Sequence, residues 1–253
     1  MSRLPVSGVE VALRAPDGTD DMLLQETTGG AVEVALALLP RLAKADGARD
    51  WAALTVTDFE TLLLALRAAR FGQHLTLAFA CPACRERVEV DLRIDDYLAG
   101  VRPRAVAGVA PDPERPGWFR LDGAGFRLPT AGDQAAVARL AQPARHLAER
   151  CLDDAARAPR QRARVERAMA AMAPEISRPI AGECPVCGTD VHAPLHVARV
   201  VVSELRRAAA AVHDEIDLIA RAYHWPEAAI LALPQDRRRA YAERIRRAQA
   251  HAA

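Results

Sequence analysis

At 253 residues the chain is long enough to bury a substantial core, as one large domain or two smaller ones. A net charge of +1 at pH 7 supplies no global attraction to nucleic acid or to an anionic membrane. Half of the residues are hydrophobic but only 4% are aromatic, and alanine and arginine dominate, which favours helices packed through small side chains.

No run approaches the ~18 apolar residues of a membrane span. The N-terminal MSRLPVSGVEVALRAPDG lacks the apolar centre of a secretory signal. The expectation is a soluble, cytoplasmic protein. Its cysteines stay reduced there, and paired C-x-x-C motifs read as metal sites before disulfides.

Along the chain, Val9, Val11 and Leu13 alternate as a short strand, and Met22 to Leu24 open a small element. The pattern from Ala31 to Ala43 suits a helix that Pro40 interrupts or bends. The next helix is predicted to start at Thr57, with Glu60 completing a capping box and Gly72 as the stop. The period then changes from helical to two. Leu75, Leu77 and Phe79 alternate on one strand, and Val88, Val90 and Leu92 on the return strand. Asp95 to Leu98 begins a short helix or turn. Residues 100–117, with Pro103, Pro111, Pro113 and Pro116, read as a linker loop.

A second small hairpin is predicted around Asp122-Gly123, between Trp118–Leu121 and Phe126–Leu128. Thr130 or Asp133 caps the helix that follows, with Val137, Leu140, Leu147 and Leu152 inward and a break at Pro143. Residues 157–172 form a further helix with Val165, Met169 and Met172 inward. Ile176, Arg178 and Ile180 alternate toward a strand, and Val191 and Ala193 lie on its return. The cleanest helical periodicity runs from Val197 to Tyr223, with apolar steps of three and four. Pro226 opens a short helix ending near Leu233, and Gln235 to Ala250 is the last helix, with Tyr241 and Ile245 inward. Its arginines from 237 to 247 read as a solvated face beside Asp236 and Glu243.

The chemistry concentrates in two motifs of one form, Cys81-Pro-Ala-Cys84 and Cys184-Pro-Val-Cys187, each at a strand-to-strand turn and about a hundred residues apart. Four thiolates in two such pairs are what one tetrahedral Zn²⁺ requires. Gly188 after the second pair fits a turn that needs positive φ; Arg85 occupies that place in the first. The strand-like residues downstream argue against a thioredoxin-type redox pair, whose motif opens a helix. His74, His192 and His196 lie nearby but are not needed as ligands, and a shell closed by four thiolates has no open position for catalysis. Cys151, in an alanine-rich helix, reads as a small buried hydrophobe. Asp95-Asp96 and Asp153-Asp154 read as solvated pairs. No G-x-S-x-G, P-loop, G-x-G-x-x-G or H-E-x-x-H motif occurs in the sequence.

Three stretches together carry a family resemblance. They are LLLALRAARFGQHLTLAFACPACRERVEVDLRIDDYL, then FRLPTAGDQAAVARL with RCLDD behind it, then HDEIDLIARAYHWPEAAILALPQDRRRAYAERI. The first resembles the T-even phage baseplate (hub assembly) family, and the others resemble segments of related proteins in phages and contractile injection systems. The last is marked by Ile219-Ala220, Tyr223, Trp225, Ile230-Leu231, Leu233, Arg238-Arg239 and Tyr241. The resemblance implies assembly or structural work in a baseplate, with hub, spike or tail proteins as partners and no small-molecule substrate. Among the residues themselves, Tyr223, Trp225 and Tyr241 are the first candidates for a partner contact, because aromatics anchor interfaces.

The expected fold class is α+β and mainly helical: a split zinc ribbon of two C-P-x-C hairpins, surrounding helices and a C-terminal helical tail. Its segments are an N-terminal stretch 1–30, helices plus the first knuckle hairpin 31–99, the loop 100–117, a small hairpin, helices and the second knuckle hairpin 118–194, and a helical region 195–253. The expected function is non-enzymatic. The alternative is a zinc ribbon binding nucleic acid through its arginine-rich last helix, though stacking aromatics are scarce.

Overall fold

The computed structural model describes residues 1–47 and 49–252. The helices are α1 (Gly18–Glu26), α2 (Ala31–Leu42), α3 (Val56–Phe71), α4 (Ile94–Ala99), α5 (Ala131–Val137), α6 (Pro143–Cys151), α7 (Asp154–Arg157), α8 (Pro159–Met172), α9 (Val197–Ala209), α10 (Val212–Tyr223), α11 (Glu227–Leu231) and α12 (Gln235–Ala252). The strands are β1 (Ser2–Arg3), β2 (Glu10–Leu13), β3 (Ala43–Ala45), β4 (His74–Ala80), β5 (Arg87–Arg93), β6 (Val109–Pro111), β7 (Phe119–Leu121), β8 (Ala124–Phe126), β9 (Ile180–Glu183) and β10 (Asp190–Ala193). This is a mixed helix-and-sheet protein whose sheets are small and antiparallel. Its residues divide into two compact units, Met1–Val11 with Ala45–Ala198 and Ala12–Lys44 with Arg199–Ala253.

In the first unit α3 is the buried axis. Phe59, Leu62, Leu63, Leu64 and Leu66 are at most 1% exposed. The helix starts two residues earlier than its sequence suggests. Thr55 is the N-cap and accepts from the Asp58 amide, while the Asp58 carboxylate receives the amides of Val6 and Ser7. The expected Thr57–Glu60 box is absent because both side chains serve other partners: Thr57 donates to the Pro174 carbonyl and Glu60 holds Ser177. Gly72 ends the helix with φ +87°, a conformation that favours glycine. The chain then enters the β4–β5 hairpin, paired from His74↔Arg93 to Ala80↔Arg87.

The segment 100–117, expected as a loop, contributes a strand. β6 pairs with β7, which pairs with β8. Proline-rich composition hid it. The Asp112 carboxylate, 0% exposed, draws Arg115 and Arg120 together just past β6, and its amide donates to the Trp118 carbonyl. The β7–β8 turn is Asp122-Gly123 as expected, both with positive φ. Thr130 and Asp133 form a capping box on α5. Leu140, expected inward, is 47% exposed, because α5 stops at Val137 and Leu140 falls in the turn before Pro143 opens α6. Asp153 is not a solvated carboxylate: it caps α7 and receives the Gly125 amide.

In the second unit α1 packs with α2, α10 and α11, and α10 with α12. A reciprocal box between Asp17 and Asp20 starts α1. Helix α2 runs through Pro40, whose position in the last turn removes one hydrogen bond without ending the helix. The single helix expected from Val197 to Tyr223 is broken at Ala210–Ala211. The Ala208 carbonyl takes Gln235 Nε2 at 2.5 Å and Arg239 Nη2 at 2.7 Å, side-chain donors that replace helix continuation. Arg238 is also misread by a solvated-face expectation. It is fully buried and ion-paired with Asp21 and Glu215. Gly18 leaves room for it: a Cβ there would come within 2.7 Å of Arg238 Nη1 and 2.8 Å of the Leu231 backbone.

Candidate metal centre

The two C-P-x-C turns adopt the same backbone. In the first, the Cys81 amide donates to the Glu86 carbonyl at 2.8 Å and the Arg85 amide to the Cys81 carbonyl at 3.0 Å. In the second, Cys184 donates to Thr189 at 2.9 Å and Gly188 to Cys184 at 2.9 Å. Arg85 (φ +67°) and Gly188 (φ +69°) occupy the same left-handed position, so the arginine adopts the conformation that glycine supplies more cheaply.

β4 and β10 lie together, and the two turns face each other. All four ligand sulfurs fall within 4.8 Å of one another. Cys81 Sγ is 3.8 Å from Cys187 Sγ, and Cys84 Sγ is 3.7 Å from Cys184 Sγ. A tetrahedron with metal–sulfur bonds near 2.3 Å has edges of about 3.8 Å, so the observed separations fit a shared ion. They are far from the ~2.05 Å of a disulfide. Cys81 and Cys184 are buried, Cys84 is half-buried and Cys187 is exposed. Val88, Val191, Phe79 and Val90 pack around the thiols as a small apolar cluster. Gly182 brings β9 against Val90, whose methyl lies 3.5 Å from the place a Cβ would occupy.

Backbone amides point at the sulfurs. Cys84 and Ala83 donate to Cys81 and hold its thiol below the usual range against the cost of burial. The Thr189 hydroxyl, 3.3 Å from Cys187 Sγ, and then its amide pull Cys187 down to about 6. At Cys84 the Glu86 amide also pulls downward, but burial and the three other sulfurs outweigh it and push the thiol up to about 12. The chain has a four-cysteine cluster able to hold a metal ion.

His74, His192 and His196 are exposed and outside the cluster. Cys151 is 1% exposed and burial pushes its thiol up to about 11, the inert state expected of a packing residue. In the second unit, Tyr223, Trp225 and Tyr241 come together. Tyr223 stacks on Trp225 at 5.3 Å, and Tyr241 meets both rings edge-on at 5.7 and 5.2 Å. The trio rests against Ile219, Ile230 and Ile245, each ring half-buried. Glu60 and Ser177 were not anticipated as part of the first unit's frame. The available signal was a carboxylate on the apolar face of α3, three and four residues before Leu63 and Leu64.

No protein-family model matches the chain, and no curated protein or solved structure matches it. No helix among the described residues is long and apolar enough to cross a membrane.

Proposed function

We propose that the protein is a non-enzymatic structural or assembly component of the baseplate of a contractile, phage tail-like injection system, built on a structural zinc. The observation that carries the metal reading is the convergence of Cys81, Cys84, Cys184 and Cys187 from two hairpins at tetrahedral spacing. An all-thiolate tetrahedral shell suits zinc in a structural role, and its closure leaves no site for substrate. The two hairpins then form one split zinc ribbon, with a single ion joining residues far apart in sequence. The net charge of about −2 on such a centre is offset by the amides and the Thr189 hydroxyl aimed at the sulfurs.

The baseplate assignment draws on the order of the sequence motifs around the first knuckle and in the C-terminal module. The aromatic trio Tyr223, Trp225 and Tyr241 supplies a contact surface in that module, with Arg237 over the Tyr241 ring at 6.0 Å. The test is affinity purification of the tagged chain from cells that express its neighbouring genes, followed by identification of what co-purifies. Baseplate, hub, spike or tube proteins support the assignment. Salt-sensitive capture of nucleic acid, with no tail protein, supports the nucleic-acid-binding ribbon instead.

A further inference from the structure

The second knuckle hairpin is tethered at both ends to one buried carboxylate. Glu60 projects from α3 and is 3% exposed. Its Oε2 accepts from the Ser177 amide at 3.0 Å and its Oε1 from the Ser177 hydroxyl at 2.6 Å. Ser177 lies three residues before β9 begins. The same Ser177 Oγ accepts from the Val197 amide at 3.0 Å, four residues after β10 ends. Entry to and exit from the hairpin that carries Cys184 and Cys187 thus meet at one hydroxyl held by one glutamate. Two further side chains pin the entry segment: Thr57 of α3 donates to the Pro174 carbonyl, and Tyr97 of α4 to the Ile176 carbonyl at 2.7 Å. The far end of α3 leads through Gly72 directly into β4 and the first knuckle. One helix therefore carries the first cysteine pair covalently and the second by hydrogen bonds.

We infer that Glu60 and Ser177 are positioning residues for the metal centre: they form the latch that holds the second cysteine pair at the spacing the first requires. The inference rests on the metal reading above. Without the latch, the two pairs remain in the chain but must be brought together at the moment of binding, and that ordering weakens affinity.

The experiment is a zinc titration of the reduced full-length chain against a competing chromophoric chelator, with melting curves of the metal-free and zinc-loaded forms. Ser177→Ala removes the shared hydroxyl and keeps the hydrogen bond that the backbone N–H of residue 177 donates to Glu60. Glu60→Ala removes both acceptors. Glu60→Gln keeps the tether, because its amide oxygen accepts from the Ser177 N–H and its NH₂ donates to Ser177 Oγ. We expect zinc affinity to fall about tenfold or more in Ser177→Ala and Glu60→Ala, within the range typical of groups that orient a metal shell, and to recover largely in Glu60→Gln. The melting-temperature gain on adding zinc should shrink in step. A Ser177→Ala protein with wild-type zinc affinity, melting lower by the same amount with and without zinc, would show a packing role only and overturn the latch. Glu60→Gln as weak as Glu60→Ala would also overturn it, since charge and not tethering would then set affinity. If Glu60→Ala does not fold, Ser177→Ala decides. Wild-type protein that takes up no zinc would instead reject the metal reading itself.

Discussion

Glu60 gives a prediction whose size follows from its surroundings. Burial, which outweighs the two bonds from Ser177 and is reinforced by the nearby Glu175 carboxylate, raises its pKa from 4.5 to about 7. An acid whose pKa is raised by folding binds its proton more tightly in the folded chain than in the unfolded one. Its ionisation therefore opposes folding, and the protein loses stability as pH climbs from 4.5 toward 7. At about 1.4 kcal/mol per pH unit, the full loss is roughly 3 kcal/mol. Glu60→Gln carries no titrating proton and does not suffer it. Thermal melts of both proteins at about pH 5 and about pH 8 share every other titration, including that of the cysteines, so the difference between them isolates Glu60. The variant should gain on the wild type by roughly 2.5 kcal/mol across that span, read as a widening of about 5–10 °C in melting temperature. A gap that stays constant, or narrows as pH rises, would refute the reasoning: Glu60 would then be ionised at no cost.

Other substitutions test separate parts of the account. Arg85→Gly should raise stability by roughly 0.5–1 kcal/mol in a denaturant titration, because glycine adopts the left-handed turn without the steric cost, and Gly188→Ala should lower it by about 1 kcal/mol at the equivalent place. Arg238→Met should destabilise the second unit by roughly 3–5 kcal/mol, since the buried carboxylates of Asp21 and Glu215 would each lose an ion pair to a fully buried guanidinium; circular dichroism melts measure this. Trp225→Ala should cost roughly 2 kcal/mol through the lost ring contacts and weaken tail-protein capture. A Trp225→Ala protein that retains every tail partner removes this residue from the contact surface.

What the sequence made legible was local. The two cysteine hairpins, the Asp122-Gly123 turn, the Gly72 stop and the Thr130–Asp133 cap each depend on residues within a few positions of one another, and each stands where pattern places it. The candidate ligands were legible because two identical motifs at strand turns restrict the geometry on their own. What escaped depends on partners distant in the chain. The start of α3 shifted because Thr57 and Glu60 are used by residues 174–177. The break between α9 and α10 depends on donors from Gln235 and Arg239. Arg238 sits among six arginines between 237 and 247, and its burial depends on ion pairs with Asp21 and Glu215, both distant in the chain. Strand β6 was masked by prolines, since its pairing is secured by a buried aspartate just beyond it.

Metal content tests the central claim most directly. Protein purified reduced, without added metal and with its four knuckle cysteines intact, should carry close to one zinc per chain by elemental mass spectrometry. Stripping that zinc with a strong chelator should sharply lower the melting temperature, and Cys184→Ser should do the same. Chain that holds no zinc, and that melts at one temperature whether or not chelator is present, would contradict it.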